Sequence, residues 1–279
     1  PHPMILRSST VALAATASLS AQISFDHLAT IRPANAAGEI GAFDAGSSRF
    51  FVTNPASSAL DVYALSATGR LAFVQTIPLS GAPNSVAIRG GLVAVAVEGA
   101  TGQDLGAVQF FDAATGLPNG AAVTVGALPD MLTFTPDGLK ILTANEGEVD
   151  TATGLINPEG SVSIVDVATR TAVTASFAPF NPQKAALQLS GVRLSNVNGV
   201  SLAQDVEPEY LTIDPTSSTA WVTLQEANSI AVVDIASATI TAILPLGEKD
   251  HNLPQNAFDP SNSDGINGNF QNFPILGLY

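Results

Sequence analysis

The chain has 279 residues and no cysteine, and its 24 Asp plus Glu against 10 Lys plus Arg give a formal charge of −14 and a pI near 4.3. That balance excludes nucleic-acid recognition by phosphate neutralisation, and the missing thiols exclude disulfides, Cys-ligated zinc and cysteine nucleophiles. The hydrophobic fraction is 46%, yet past the N-terminus no uninterrupted apolar stretch reaches the roughly 18 residues a membrane helix needs.

The first segment carries one positive charge at Arg7, an Ala-rich apolar stretch from Val11, and small residues at Leu19-Ser20-Ala21. This pattern predicts a secretory signal peptide over residues 1–21, with Pro1-His2-Pro3 as an upstream remnant. It points to an exported, bacterial, secreted or cell-surface protein, and the absence of cysteine fits.

A unit of four short strands then recurs four times. Its clearest copies run from Met131 to Val167 and from Tyr210 to Ile235. Pro83, Pro129 and Pro208 open successive units, and a degenerate earlier copy begins near Glu39. Repetition at about 40 to 45 residues with four strands per unit predicts an all-β chain of partial β-propeller architecture, with four four-stranded antiparallel blades. The blades are placed at 39–80, 82–126, 127–178 and 206–247, with an insertion at 178–205 and an incomplete further blade at 248–279.

Within the third unit the strands read Met131–Thr135, Lys140–Asn145, Ser161–Val167 and Thr171–Phe177. Thr135-Pro136-Asp137-Gly138 and Asp214-Pro215-Thr216-Ser217-Ser218 read as tight turns between the first two strands. Asp112, Asp166 and Asp234 read as turn-closing residues that accept backbone amides. In the insertion, Asn181 to Leu189 carries a cap, a proline and good helix formers, which predicts one short helix. Trp221 and Tyr210 read as core or pore-lining residues.

In a propeller whose blade strands are lettered A to D in chain order, the A strand lines the channel, and the D-to-A and B-to-C connections share one face. The repeat alignment therefore gathers Asp130, Glu207 and Glu209 with Glu98, Glu146, Glu148 and Glu226 at a single mouth. The insertion at 178–205, a smaller one at 150–159 between the second and third strands of the third unit, and Lys249-Asp250-His251 fall on the same face. So many carboxylates repel unless a cation neutralises them, and oxygen donors without cysteine favour Ca²⁺ or Mg²⁺. Asp130, Glu146, Glu148, Glu207, Glu209 and Glu226 are the candidate metal ligands, and no organic cofactor is expected. The segment Asn262 to Asn267 has a calcium-loop flavour but lacks the flanking Asp and Glu of an EF-hand. No nucleophile elbow or phosphate loop occurs. His251 is the one histidine placed to carry a proton or bind a metal.

The strings Gly126-Ala127-Leu128-Pro129-Asp130-Met131, Thr143-Ala144-Asn145-Glu146-Gly147-Glu148, Gly191-Val192-Arg193-Leu194, Ala203 to Tyr210 and Ala231-Val232-Val233-Asp234-Ile235 together resemble the choice-of-anchor I family. Its members are secreted or surface-anchored bacterial propellers with YVTN-like repeats, similar to the mesenchyme-specific cell-surface glycoprotein and often labelled alkaline phosphatase-like. The resemblance runs from about Glu39 to Tyr279 and implies a fragment of a larger, seven-bladed ring. It implies a binding or interaction module whose acidic face holds divalent cations, with an unknown surface protein, glycan or phosphorylated ligand as partner. The alternative it implies is a metal-dependent phosphoric-ester hydrolase. There Asp130, Glu146, Glu207 and Glu209 would hold the metal, and Lys249, Arg193 and His251 would be the candidate catalytic groups. A structural surface-layer role is the third alternative.

Overall fold

The computed structural model describes residues 27, 30–31, 38–154, 156–260, 263 and 270–278; the expected signal peptide lies outside them. Four antiparallel sheets follow one another, each with its strands hydrogen-bonded in chain order. The first is β1 (Gly41–Asp44), β2 (Arg49–Asn54), β3 (Ala59–Leu65) and β4 (Leu71–Pro78). The second is β5 (Pro83–Arg89), β6 (Leu92–Val97), β7 (Leu105–Asp112) and β8 (Val123–Ala127). The third is β9 (Pro129–Phe134), β10 (Lys140–Asn145), β11 (Ser161–Asp166) and β12 (Thr171–Ser176). The fourth is β13 (Pro208–Ile213), β14 (Thr219–Leu224), β15 (Ser229–Asp234) and β16 (Thr239–Pro245). After them β17 (Glu248–Asp250) pairs with β18 (Leu276–Leu278) in a small separate hairpin. The fold is all-β, an open propeller of four blades whose ring does not close among the described residues.

Three apolar seams hold the blades together. Phe51, Leu60 and Val62 of blade 1 meet Val93, Val95, Val97 and Phe111 of blade 2. The opposite face of blade 2 packs Ala94, Ala96, Val108 and Phe110 on Leu132, Ile141 and Val165. Leu142, Ala144, Val162 and Ile164 of blade 3 then meet Ala220, Val222, Leu224, Ala231 and Val233 of blade 4. A strand buried on both faces needs apolar or small residues at every position, which is why β6 and β10 are almost continuously buried. β14 alternates instead, because the face turned away from blade 3 is open. Trp221 and Tyr210 lie on that face, 40% and 58% exposed. Neither is core among the described residues: Trp221 is paired with Thr212 and Val232, and Tyr210 falls in the register shift of the blade's first strand.

Polar bonds add to the seams. Arg49 Nη1 donates to the Ala113 carbonyl at 3.3 Å, Arg89 donates to the Pro136 carbonyl, and Asn84 Nδ2 donates to the Pro129 carbonyl at 3.3 Å. The Asp137 amide donates to Ser217 Oγ at 3.1 Å, and the Arg170 guanidinium lies 3.8 Å over the Phe110 ring. Each crosses from one blade to the next.

The turns form as their residues dictate. Gly138 takes φ 77° and donates its amide to the Thr135 carbonyl at 2.8 Å. Asp166 Oδ1 accepts from the Ala168 and Thr169 amides and from Thr169 Oγ1, and Asp112 and Asp234 do the same for their own turns.

The insertion differs from expectation. A 3₁₀ turn at Ala178–Gln183 precedes α1 (Lys184–Leu189), so the single expected helix is divided. Pro182 lies inside the first part and has no amide to donate, so the chain cannot complete an α-turn there. Asn181 does not cap the helix; its Oδ1 accepts the Ala203 amide at 2.9 Å and ties the insertion's two ends together. Val192, Leu194, Leu202 and Val206 bury into the seam between blades 3 and 4.

Candidate functional site: an acidic rim

The same irregularity occurs where three blades begin. The ladders pair Pro83 with Val97, Pro129 with Asn145 and Pro208 with Leu224, and each breaks register next to that pair. Such a bulge leaves an unpaired residue and re-aims its side chain. The residues left over include Asn84, Asp130 and Glu209, each directly after the proline.

The residue before the proline is equally constrained. Leu128 and Glu207 sit at φ 48° and 38°, left-handed backbone that a side chain disfavours, and proline further restricts what precedes it. The connector then engages the next corner. The Leu128 carbonyl accepts the Glu146 amide at 2.9 Å, and the Ala82 carbonyl accepts the Glu98 amide at 2.9 Å in the blade before. Repeat geometry thus brings the D-to-A connection against the B-to-C corner of the same blade; in blade 3 the two supply Asp130 and Glu146, in blade 2 Asn84 and Glu98.

Charge and partial burial show how near these groups lie. Burial pushes Glu146 up to about 8, with Asp130, Glu148, Glu207 and Glu209 adding repulsion. Burial likewise raises Glu207 to about 7, with Glu226, Glu148, Asp205 and Glu209 contributing. Asp130 is raised by burial and then by Glu39 and Glu98, and Glu209 by burial and then by Glu226 and Asp130. All six expected ligand positions are thus linked, pair by pair, by mutual repulsion. Glu39 and Asp205 also act on these groups, Glu39 on Asp130 and Asp205 on Glu207, and neither is a position the repeat alignment reaches. Glu39 leads into β1 and donates its amide to the Thr53 carbonyl at 3.3 Å; it occupies the connector of the degenerate unit, where no proline marks the register. Asp205 arrives on the insertion, which has no counterpart in the other repeats.

The expected cationic groups are placed differently. Arg193 donates from Nη1 to the Glu226 carbonyl at 2.9 Å and borders a cavity of about 220 Å³ with Ser195, Asp205, Glu207 and Glu226. Lys184 pairs with Asp205 at 3.1 Å and also donates to the Val200 carbonyl at 2.9 Å. Lys249 sits in the terminal hairpin opposite Gly277. His251 Nδ1 lies 2.7 Å from the Asn256 carbonyl, and its ring stacks on Phe258 at 4.5 Å. A Cβ at Gly277 would come 2.5 Å from Nε2, so the imidazole is packed as part of that hairpin.

The donor set suits a hard cation, being carboxylate throughout. Among the described residues, however, no three Asp, Glu or His side chains are close enough together to form a ready-made ion cage. The arrangement is a rim of distributed charge. Most of the Asn262 to Asn267 segment lies outside the described residues.

The fold is shared with solved structures of low sequence identity. Hydrazine synthase from Kuenenia stuttgartiensis is similar at a TM-score of 0.54 and 15% identity over 82% of this chain. A protein from Lactobacillus plantarum is similar at 0.50 and 15% over 79%. The chain spans only 55% and 62% of those two chains, so the likeness shows the fold alone. No curated protein matches the sequence. No helix among the described residues is long and apolar enough to cross a membrane. The choice-of-anchor I domain matches residues 39–279, nearly the whole of the propeller just described, and the chain belongs to the choice-of-anchor I family of surface-associated propeller modules.

Proposed function

We propose that the chain is a secreted or surface-held binding module whose acidic rim takes up divalent cations, Ca²⁺ or Mg²⁺, as exchangeable and largely hydrated counterions. What supports this most directly is the crowding of half-buried Glu146 and Glu207 among other carboxylates. Carboxylates raised to about 8 and about 7 by burial and by one another are wholly or partly protonated at neutral pH, and a metal cation could take the proton's place. The lack of a closed cage among the described residues favours ions that retain water over ions stripped of it, a mode natural to Mg²⁺ and available to Ca²⁺. A phosphorylated or otherwise anionic partner would approach this rim only across such cations, whereas a basic protein surface could approach directly.

Titration calorimetry with CaCl₂ at neutral pH, in two buffers of different protonation enthalpy, tests the reading. Uptake accompanied by proton release is expected, with the proton component lost in Glu146→Gln together with Glu207→Gln. Absence of uptake of either Ca²⁺ or Mg²⁺ overturns it. Metal-dependent turnover of a chromogenic phosphate ester, lost in the same variant, would replace the binding module with the hydrolase.

A further inference from the structure

We infer that Asn198-Gly199, within the insertion, is a site of spontaneous deamidation that adds a carboxylate to an already acidic chain. Both residues are exposed. Gly199 stands at φ 87° in a turn closed by the Val200 amide on the Val197 carbonyl at 3.3 Å. Nothing lies within 4 Å of where a Gly199 Cβ would be, and the Asn198 side chain has no hydrogen-bond partner among the described residues. Glycine offers no side chain to shield its own backbone nitrogen, and it resists rotation least.

The chemistry needs only water. The Gly199 nitrogen loses its proton and attacks Asn198 Cγ; a new N–C bond closes a five-membered imide as the Cγ–N bond breaks and ammonia leaves. Water then adds to either imide carbonyl and opens the ring, giving aspartate or isoaspartate. The net change is asparagine and water to a carboxylate and ammonia, one more negative charge per chain. The isoaspartyl product also adds a methylene to the main chain between Val197 and Val200, whose carbonyl Lys184 holds at 2.9 Å.

A second Asn-Gly pair supplies the internal comparison. The Asn119 amide donates to the Phe110 carbonyl at 2.8 Å, and its own carbonyl accepts from Arg170 Nη2 at 3.5 Å. A Gly120 Cβ would lie 3.6 Å from Arg170 Nε. Those bonds hold the backbone that must rotate for ring closure, so Asn119 should react more slowly. Asn267-Gly268 lies outside the described residues.

The test is incubation of the folded full chain in mildly alkaline buffer, followed by proteolysis and mass spectrometry with isoaspartyl labelling. The Asn198 peptide is expected to gain one mass unit and to split into two chromatographic species, with isoaspartate in excess and the Asn119 peptide lagging several-fold. In Asn198→Gln, whose longer side chain cannot close a five-membered ring, that signal should vanish while the Asn119 peptide behaves as before. An unchanged Asn198 peptide overturns the inference, as does conversion at Asn119 that matches or outpaces it.

Discussion

Opposite electrostatic demands act on individual carboxylates at the two ends of each blade. At the turns, Asp214 is held well below the ordinary range by the Thr216 hydroxyl and by the Thr219 and Ser218 amides, bonds that stabilise the ionised form. At the rim, Glu146 is pushed the other way. Its folded form binds a proton more tightly than the unfolded chain between the ordinary 4.5 and about 8, so stability from this group falls as pH rises through that window and is flat above it. Glu146→Gln should therefore flatten the decline in melting temperature across that window and raise it at mildly alkaline pH, as thermal melts at stepped pH would show. Asp214→Ala should act in the opposite regime. It removes a group whose stabilisation is present above the ordinary 3.8 and lost as pH falls below it, so the melting temperature should drop at neutral pH and converge with the parent in acid.

The blade is the element that repeats, and its seams set the cost of damage. Leu142 is fully buried between blades 3 and 4, and Leu142→Ala should cost about 2–5 kcal/mol in chemical denaturation. Gly126 tests a polar seam. A Cβ there would meet Asn145 Cβ at 2.6 Å and Ser161 Oγ at 2.7 Å, and Asn145 is fully buried, bonded to Ser161, Ser163 and Thr143. Gly126→Ala should lower the melting temperature and disturb the corner that carries Glu146, so weakened Ca²⁺ uptake is expected with it. The blades were legible because prolines, turn aspartates and β-branched runs recur at one spacing, and strand bounds such as Lys140–Asn145 follow from that periodicity alone. Less legible were features set by neighbours in space. The bulges that set Asp130 and Glu209 apart from their ladders depend on backbone register, and the recruitment of Asn181 away from the helix start depends on the Ala203 amide, 22 residues on. Trp221 shares its face with Thr219 and Thr223, so the alternation was present in the sequence, and the indole's apolar bulk masked it.

For the molecule as a whole, a charge of −14 concentrated partly on one rim makes ionic strength the natural control variable. The screening length shortens to about 10 Å at 0.1 M salt, so carboxylates spread along an arc should lose most of their mutual repulsion and their pull on cations. Ca²⁺ uptake by calorimetry should weaken steadily with added NaCl, whereas a closed cage would respond little. The blade order and the common face of the acidic connectors came from the repeats. The extension of the arc to Glu39 and Asp205 needed three-dimensional proximity, because one lies in the degenerate unit and the other on an insertion without a repeat partner.

Trp221 is the chain's sole tryptophan, and it stands on the face of blade 4 opposite the one that Ala220 and Val222 bury against blade 3. Its indole is therefore a fluorescent lamp mounted at one end of the array. Blue-shifted emission and resistance to a soluble quencher would signal that something had covered that end, while loosening between blades 1 and 2 would leave the light nearly unchanged.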